Sequence, residues 1–508
     1  MRHRNKIKSL QELSEVLEPL RNDAKKIVHC HGVFDLLHVG HIRYLEQAKE
    51  FGDILVVTLT QDHYVNKGPN RPAFTEHLRA ESLAALECVD YVAVNQWPTA
   101  VETIRLLKPE FYVKGSDYKN SKDDITGKIR DEENSVHSIG GEIRFTEDIT
   151  FSSSNLINSI IPSFNDETNR YLHDFRRKYS PDDIHNQIEN LRDLKVMVIG
   201  EAIIDEYVHC ESMGKSGKES VLVMKYLSKE RYAGGALAIA NHLSDFCDKV
   251  TLLSYLGDEK TEEDFVRNRL ADNIEPIFVY KAESPTITKR RFVDSYSLNK
   301  LLGVYDLNGE PLNGDDENIF CDILEERSQE FDVIIVADYD HGLITPKIVD
   351  ILENSKPFLS INTQINAVNI GFHSISKYDR ADYVCIHEGE IRLDQRSRKG
   401  ELRDLVRDLA TRMNDPSVMI TRGSNGSLFY RKEVGFTTCP AFAVSIVDRV
   451  GAGDAVLALT SLMAAKKAPS DVINFVGNLV GADAVSIVGN ERSIDRIKLL
   501  KGIASLMK

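Results

Sequence analysis

His31-Gly-Val-Phe-Asp-Leu-Leu-His-Val-Gly-His41 is the stretch whose reading decides the fold of the first part of this chain. It follows the short apolar run Ile27–Cys30, which reads as a strand, and it runs into Ile42–Glu50, where Ile42, Leu45 and Ala48 share one helical face. Strand, glycine bend and helix start therefore meet within eleven residues. His38 and His41 are three apart at that helix start, so their imidazoles point the same way. Free N–H groups and the partial positive charge of a helix N-terminus suit a polyphosphate. Two imidazoles aimed at that point would stabilise the charge that builds up when an α-phosphate is attacked and pyrophosphate leaves. That is nucleotidyltransferase chemistry.

Working outward, the first 165 residues alternate strand and helix. Apolar runs at Ile27–Cys30, Ile54–Leu59, Tyr91–Val94 and Phe111–Val113 are separated by helix-like stretches at Ile42–Phe51, Glu76–Glu87 and Ala100–Leu107. The pattern predicts an α/β unit on a parallel sheet, a Rossmann-like domain over residues 1–164. Residues 165–193 turn polar and are expected to be a linker with one helix over Asp182–Leu191. A second α/β succession opens at Lys195–Gly200, with strands at Val250–Tyr255, Val333–Ala337, Phe358–Ile361, Tyr383–Ile386 and Val418–Thr421. This second domain is expected over residues 194–508.

The 508 residues call for two or three domains, and 42% hydrophobic content supplies their cores. A formal charge of −15 argues against nucleic acid or an anionic membrane as the main partner, but not against nucleotides. The seven cysteines are scattered and form no Cys-x-x-Cys pair, which points to a reducing cytoplasm. No run approaches the ~18 apolar residues of a membrane span, and no leader segment is expected.

Further pieces belong with the histidines. Lys67 and Arg71 lie in a glycine- and proline-rich loop able to close on a triphosphate. Val113-Lys-Gly-Ser-Asp-Tyr118 ends a strand where open α/β sheets bind ligands, and Phe151-Ser-Ser-Ser-Asn155 offers hydroxyls before a helix start. The Gly-x-Phe-Asp and His-x-Gly-His elements resemble the cytidylyltransferase-like family. Over Ile27–Ile161 the chain resembles the nucleotidyltransferase half of the bacterial bifunctional heptose enzymes. The resemblance implies that His38, His41 and Lys67 handle the triphosphate. It also implies that Gly32, Phe34, Lys114, Gly115, Asp117, Ser152, Ser153 and Ser154 line the nucleotide.

Late in the chain, Val447-Asp-Arg-Val-Gly-Ala-Gly-Asp454 precedes the apolar helix Ala455–Ala464. Gly451, Ala452 and Gly453 let backbone amides approach a developing negative charge, and Asp454 at that mouth can take a proton from a hydroxyl. This resembles the ribokinase-like (PfkB) sugar kinases over about Leu194–Lys498. The resemblance implies a ribokinase-like fold, Asp454 as base and Gly451–Gly453 as anion hole. Asp205, Gly234, Gly235, Arg290 and Asp338 are implied at the sugar. Thr421, Gly423, Gly426 and Asn478 are implied at the nucleotide, and Glu390 is linked indirectly to Mg²⁺.

Several positions depart from that pattern. Leu237-Ala238 replace the usual Ala-Asn after the glycine pair, Asp340-His341 replace Ala-Lys, and His387 replaces the asparagine of Asn-x-x-Glu. The transferase also precedes the kinase, the reverse of the usual order. The expected function is a bifunctional sugar kinase and sugar-phosphate nucleotidyltransferase of ADP-heptose type, acting on nucleotide triphosphate and sugar phosphate. ATP serves both sites, or CTP the first. The alternatives are a CTP-dependent transferase acting on another sugar or polyol phosphate, and a transferase with a degenerate kinase domain. A homo-oligomer is expected.

Overall fold

The structure is a computed structural model that describes residues 3–65, 72–115, 128–146, 164–443 and 445–507. Its Cα positions group residues 1–169 with 497–508 in one compact unit and 170–496 in another.

In the first unit the four apolar runs become β1 (Ile27–Gly32), β2 (Ile54–Leu59), β3 (Tyr91–Val94) and β4 (Phe111–Lys114), and a fifth strand that no apolar run marked, β5 (Glu142–Phe145), joins them. They form one sheet in the order β3-β2-β1-β4-β5, and every pair is parallel. Parallel strands are covered on both faces, so they read as unbroken apolar runs rather than alternating ones. Val28, Cys30, Leu55, Val57, Val92 and Val113 share a buried core with Leu45 and Ala48 of the helix Val39–Glu50. Each large apolar side chain there contributes about 1.5–3 kcal/mol of transfer free energy. The chain reverses direction across the sheet between β1 and β4, and the crevice at their carboxyl ends is where such sheets take ligands.

The second unit is built on a nine-stranded sheet of β6 (Val196–Gly200), β9 (Val250–Gly257), β10 (Ile274–Lys281) and β13–β18. The last six are Val333–Asp338, Phe358–Thr363, Tyr383–His387, Ser417–Thr421, Ser427–Arg431 and Gly435–Cys439. The order is β10-β9-β6-β13-β14-β15-β16-β17-β18, parallel up to β16 and antiparallel at the last two. A second sheet, β12-β11-β7-β8, pairs β7 (Ala202–Lys215), β8 (Leu222–Gly235), β11 (Thr288–Asp294) and β12 (Lys300–Asp306). Sequence periodicity misses this sheet, because much of β8 and β12 is exposed on both faces.

The stretch 165–193, expected as a linker with one helix, carries two: Asp166–Lys178 and Pro181–Glu189. The first lays Phe175 in a stack on Phe475, with ring centroids 4.4 Å apart, so from Arg170 on this segment belongs to the second unit. Its polar composition hides a narrow aromatic face, Tyr171, Phe175 and Tyr179.

Candidate functional site

The first site forms around the bend after β1. Phe34 adopts a left-handed φ of 49°, and a Cβ at Gly32 would lie 3.1 Å from its ring. The buried Asp35 carboxylate accepts from the amides of Ala73 (2.7 Å) and Phe74 (3.1 Å), which fixes the chain just beyond residue 71. His38 caps the helix Val39–Glu50, its Nδ1 accepting from Gly40 N–H at 3.1 Å. The imidazoles of His38 and His41 stack with centroids 4.0 Å apart and planes 29° apart, and Phe34 packs edge-on against His41 at 5.4 Å. The two rings thus stand together at a helix N-terminus, as their spacing predicts. Gly115 has open space where a side chain would be. Lys67, Arg71, Asp117, Ser152, Ser153 and Ser154 lie outside the described residues.

Beneath the site runs a buried polar layer that the sequence did not announce. Lys114 pairs with Glu132 at 2.8 Å, and the Tyr112 hydroxyl donates to the same carboxylate oxygen at 3.0 Å. His29, fully buried beside Tyr112, shares Thr58 with His31, at 2.7 and 2.9 Å. Burial drives the His29 pKa down to about 3, so that imidazole is neutral. The Arg79 guanidinium, also fully buried, donates to the carbonyls of Val33, Thr60 (2.8 Å) and Phe74 (3.0 Å) and to Asp62 (2.6 Å). One cation thereby ties the loops after β1 and β2 to the helix Glu76–Ala84.

The second site collects around the start of the helix Ala452–Ala465. Gly451 caps it with φ 84°, and a Cβ there would fall 2.0 Å from Asn490 Oδ1. The amides of Ala452, Gly453 and Asp454 open the helix and have no intrahelical acceptor. Asp454 is half-buried, and its Oδ1 accepts from the Tyr339 hydroxyl at 2.8 Å. Burial lifts the Asp454 carboxyl to about 7; the Tyr339 bond and Lys289 oppose that rise, and Asp205 adds to it. Asp205 pairs with Arg291 at 2.5 Å, and a Cβ at Gly234 would lie 2.2 Å from Asp205 Oδ2. A side chain there would push the Asp205 carboxylate aside. Gly235, at φ 57°, packs against Glu201 O in the same way.

The basic run Lys289-Arg290-Arg291 divides by strand alternation. Lys289 and Arg291 share the face of Asp205, whereas Arg290 points to the other face and pairs with Glu206. Arg290 is thus committed to Glu206, away from the Asp205 side where it was expected at the sugar. Asp338, expected at the sugar as well, is fully buried, and its carboxylate accepts from Lys377 (2.9 Å), Tyr378 (2.8 Å) and Asp340 N (3.1 Å). Its role in the structure is to brace the turn that carries Tyr339. Asp338, Asp340 and His373 bring their ligand atoms within 4.8 Å of one another. The Lys377 ammonium already supplies that group with positive charge. Glu201, which no sequence pattern singled out, is buried and accepts from Tyr339 N (3.1 Å) and His341 N (2.9 Å).

At the end of β16, Thr421 leads into a turn where Gly423 and Gly426 take φ 56° and 75°. A Cβ at Gly426 would meet Cys439 O at 2.0 Å. Asn478 donates to Ser427 at 2.5 Å, within a buried chain that includes Asn474. Glu390 closes a capping box with His387, accepting from His387 N at 2.6 Å and from Ile365 N at 3.1 Å. Burial raises its pKa to about 7, and Asp454 adds to the rise. His387 fills a cap position that an asparagine would also satisfy.

Comparison with known proteins sorts the two units. Residues 29–164 match the cytidylyltransferase-like family, and residues 193–495, more than half of the chain, match the pfkB family carbohydrate kinases. The chain belongs to the pfkB carbohydrate kinase family. This pfkB-family protein carries a cytidylyltransferase-like domain ahead of its kinase domain. It is similar to the bifunctional protein HldE of Geobacter metallireducens, 41% identical over 168 residues, which cover 32% of each chain. It is also similar to that of Aliarcobacter butzleri, 43% identical over 138 residues, 27% of this chain and 29% of the relative. The pfkB-family protein thus spans about a third of the length of the curated relatives it matches, in its N-terminal domain. Phosphofructokinase-2 from Escherichia coli in complex with potassium is 16% identical, with a TM-score of 0.50, covering 62% of this chain and 100% of that one. The same enzyme in complex with fructose-6-phosphate is 15% identical at a TM-score of 0.50. Both show the kinase fold.

Proposed function

We propose that the chain is a bifunctional enzyme that phosphorylates a sugar phosphate and activates a sugar 1-phosphate as a nucleotide sugar. The sugar is a heptose and the product ADP-heptose, a reading supported by the likeness of the N-terminal domain to HldE proteins. The observation that carries the kinase half is a half-buried carboxylate, Asp454, at the mouth of an amide-lined helix start.

In the kinase, Asp454 takes the proton of the acceptor hydroxyl as its oxygen attacks the γ-phosphorus of ATP and ADP leaves. The amides of Ala452 and Gly453 receive the charge that develops on the transferred group. Asp205, clamped by Arg291 and crowded by Gly234, binds sugar hydroxyls, with Gly235 behind it. Lys289 and Arg291 face any acceptor phosphate. Thr421, Gly423, Gly426 and Asn478 form the ATP side. Mg²⁺ would supply charge neutralisation at the phosphates of ATP, and Glu390 would hold it indirectly. The chemistry of Glu390 fits, because the Asp454 charge raises its proton affinity, which a divalent cation would relieve.

In the transferase, a sugar 1-phosphate oxygen attacks the α-phosphorus of ATP and pyrophosphate leaves. That oxygen is already ionised, so His38, His41 and Lys67 act by charge stabilisation and positioning rather than as bases. Gly32, Phe34, Lys114, Gly115, Asp117 and Ser152–Ser154 surround the nucleotide in this reading. We place the protein in the cytoplasm, in keeping with its seven free cysteines. Among the described residues no helix is long and apolar enough to cross a membrane. A homo-oligomer is supported by exposed apolar side chains on the four-stranded sheet, among them Leu222, Tyr226 and Leu302.

The test is mass spectrometry of the products formed from heptose 7-phosphate and heptose 1-phosphate, each with ATP and with CTP. A bisphosphate plus ADP from the first, and ADP-heptose plus pyrophosphate from the second, are expected. CDP-sugar as the main nucleotide product would move the transferase to CTP, and a missing bisphosphate would leave the kinase half unsupported.

A further inference from the structure

We infer that Tyr339 is a positioning residue for the base: its hydroxyl fixes one oxygen of Asp454, leaving the other for the acceptor, and Glu201 in turn holds Tyr339. The inference rests on the kinase reading above and adds two residues to it. Tyr339 is anchored at three separate points. Its N–H donates to Glu201 at 3.1 Å, its carbonyl accepts from Asn366 (2.8 Å) and Asn369 (3.3 Å), and its hydroxyl donates to Asp454 at 2.8 Å. The second Glu201 oxygen takes His341 N–H at 2.9 Å, so one buried carboxylate sets both ends of a three-residue turn.

A tyrosine that only filled space would need neither the backbone clamps nor a carboxylate partner. Its ring is 2% exposed. Burial and the adjacent Asp454 hold the phenol far above its ordinary pKa, so it stays a donor at every working pH. A carboxylate that loses one donated bond becomes a stronger proton binder and gains a free rotation. The charged and titratable groups facing Asp454 are Asp205 from β7, Lys289 from β11, Tyr339 after β13, the Cys385 thiol from β15 and Glu390 from the helix Glu388–Asp394. Tyr339 is the one that bonds to it directly. Glu201 acts on Asp454 through Tyr339.

The test is Tyr339→Phe in the full-length protein, with ADP release followed from ATP and heptose 7-phosphate between pH 5.5 and 9.5. Losing a hydrogen bond to a charged group shifts the acid limb of kcat/KM upward by about one pH unit. At pH 7 kcat/KM then falls several-fold, recovers toward wild type by pH 9.5, and the KM for ATP stays within twofold. Glu201→Gln, which keeps one backbone acceptor, moves the limb the same way by less. A second readout needs no acceptor: the carboxyl ¹³C resonance of Asp454, assigned by its loss in Asp454→Asn, titrates at higher pH in Tyr339→Phe. A limb and a ¹³C titration that both coincide with wild type overturn the inference. Absence of wild-type turnover on this acceptor would instead count against the kinase reading, and the ¹³C titration still decides the role of Tyr339.

Discussion

Replacing Glu132 by glutamine should loosen the floor of the first site. The Lys114 and Glu132 side chains are 11% and 7% exposed and meet at 2.8 Å, so the pair is nearly dry. Glutamine keeps the shape and an acceptor for the Tyr112 hydroxyl but removes the carboxylate charge that faces the Lys114 ammonium. Breaking one side of such a pair costs about 3–5 kcal/mol. Because β4 and the helix Lys128–Ser138 are joined by this contact, the loss is local first. Amide exchange in peptides covering residues 111–115 and 130–138 should speed up by roughly two to four orders of magnitude, up to the limit set by global unfolding. Peptides from β13–β16 should exchange as before. Adding Lys114→Met removes the buried ammonium as well and should restore most of the protection, since an apolar pair of similar volume is commonly as stable as the ions it replaces. Wild-type exchange rates in Glu132→Gln, or no recovery in the double variant, would refute the reasoning.

Other outcomes follow from the same geometry. Asp454→Asn should lower ADP release by about 10²–10⁴-fold while pyrophosphate release by the transferase is unchanged. Gly234→Ala pushes a methyl to 2.2 Å from Asp205 Oδ2, so the KM for the sugar acceptor should rise at least tenfold with that for ATP little altered, read by initial rates. His38→Ala removes both an imidazole at the phosphates and a helix cap; pyrophosphate release should fall about a hundredfold, with about 1 kcal/mol of stability lost in urea. His29 titrates near 3 when folded against 6.5 in the open chain, so the unfolded state binds the extra proton between those values. The first unit should therefore lose stability as pH falls below 6.5 and gain none above it, and His29→Gln should flatten that slope in urea titrations at pH 5 and 7.

The parallel sheets were legible because their strands are buried on both faces. Ile54–Leu59 and Tyr91–Val94 begin and end where the apolar runs do. The two helix starts were legible as well, since glycine and capping residues have no other reason to crowd there. Four things were hidden. The long strands β7 and β8 lose their alternation beyond Cys210 because neither face is covered. Glu201 gives no local signal, its partners lying some 140 residues away. Arg290 and Arg291 look alike in a basic run, and only the pleat assigns them to opposite faces. Asp338 sits at a strand end like a binding residue, yet its carboxylate is already held by Lys377, Tyr378 and the Asp340 amide.

The helix Asp166–Lys178 has a practical consequence for anyone who wants the kinase by itself. Cutting the chain at residue 194, where the second succession of strands begins, would strip Tyr171 and Phe175 from Phe442 and Phe475 and leave a greasy scar on the outside of the product. Starting at residue 165 keeps that aromatic seam shut, and the fragment should aggregate less than the shorter one.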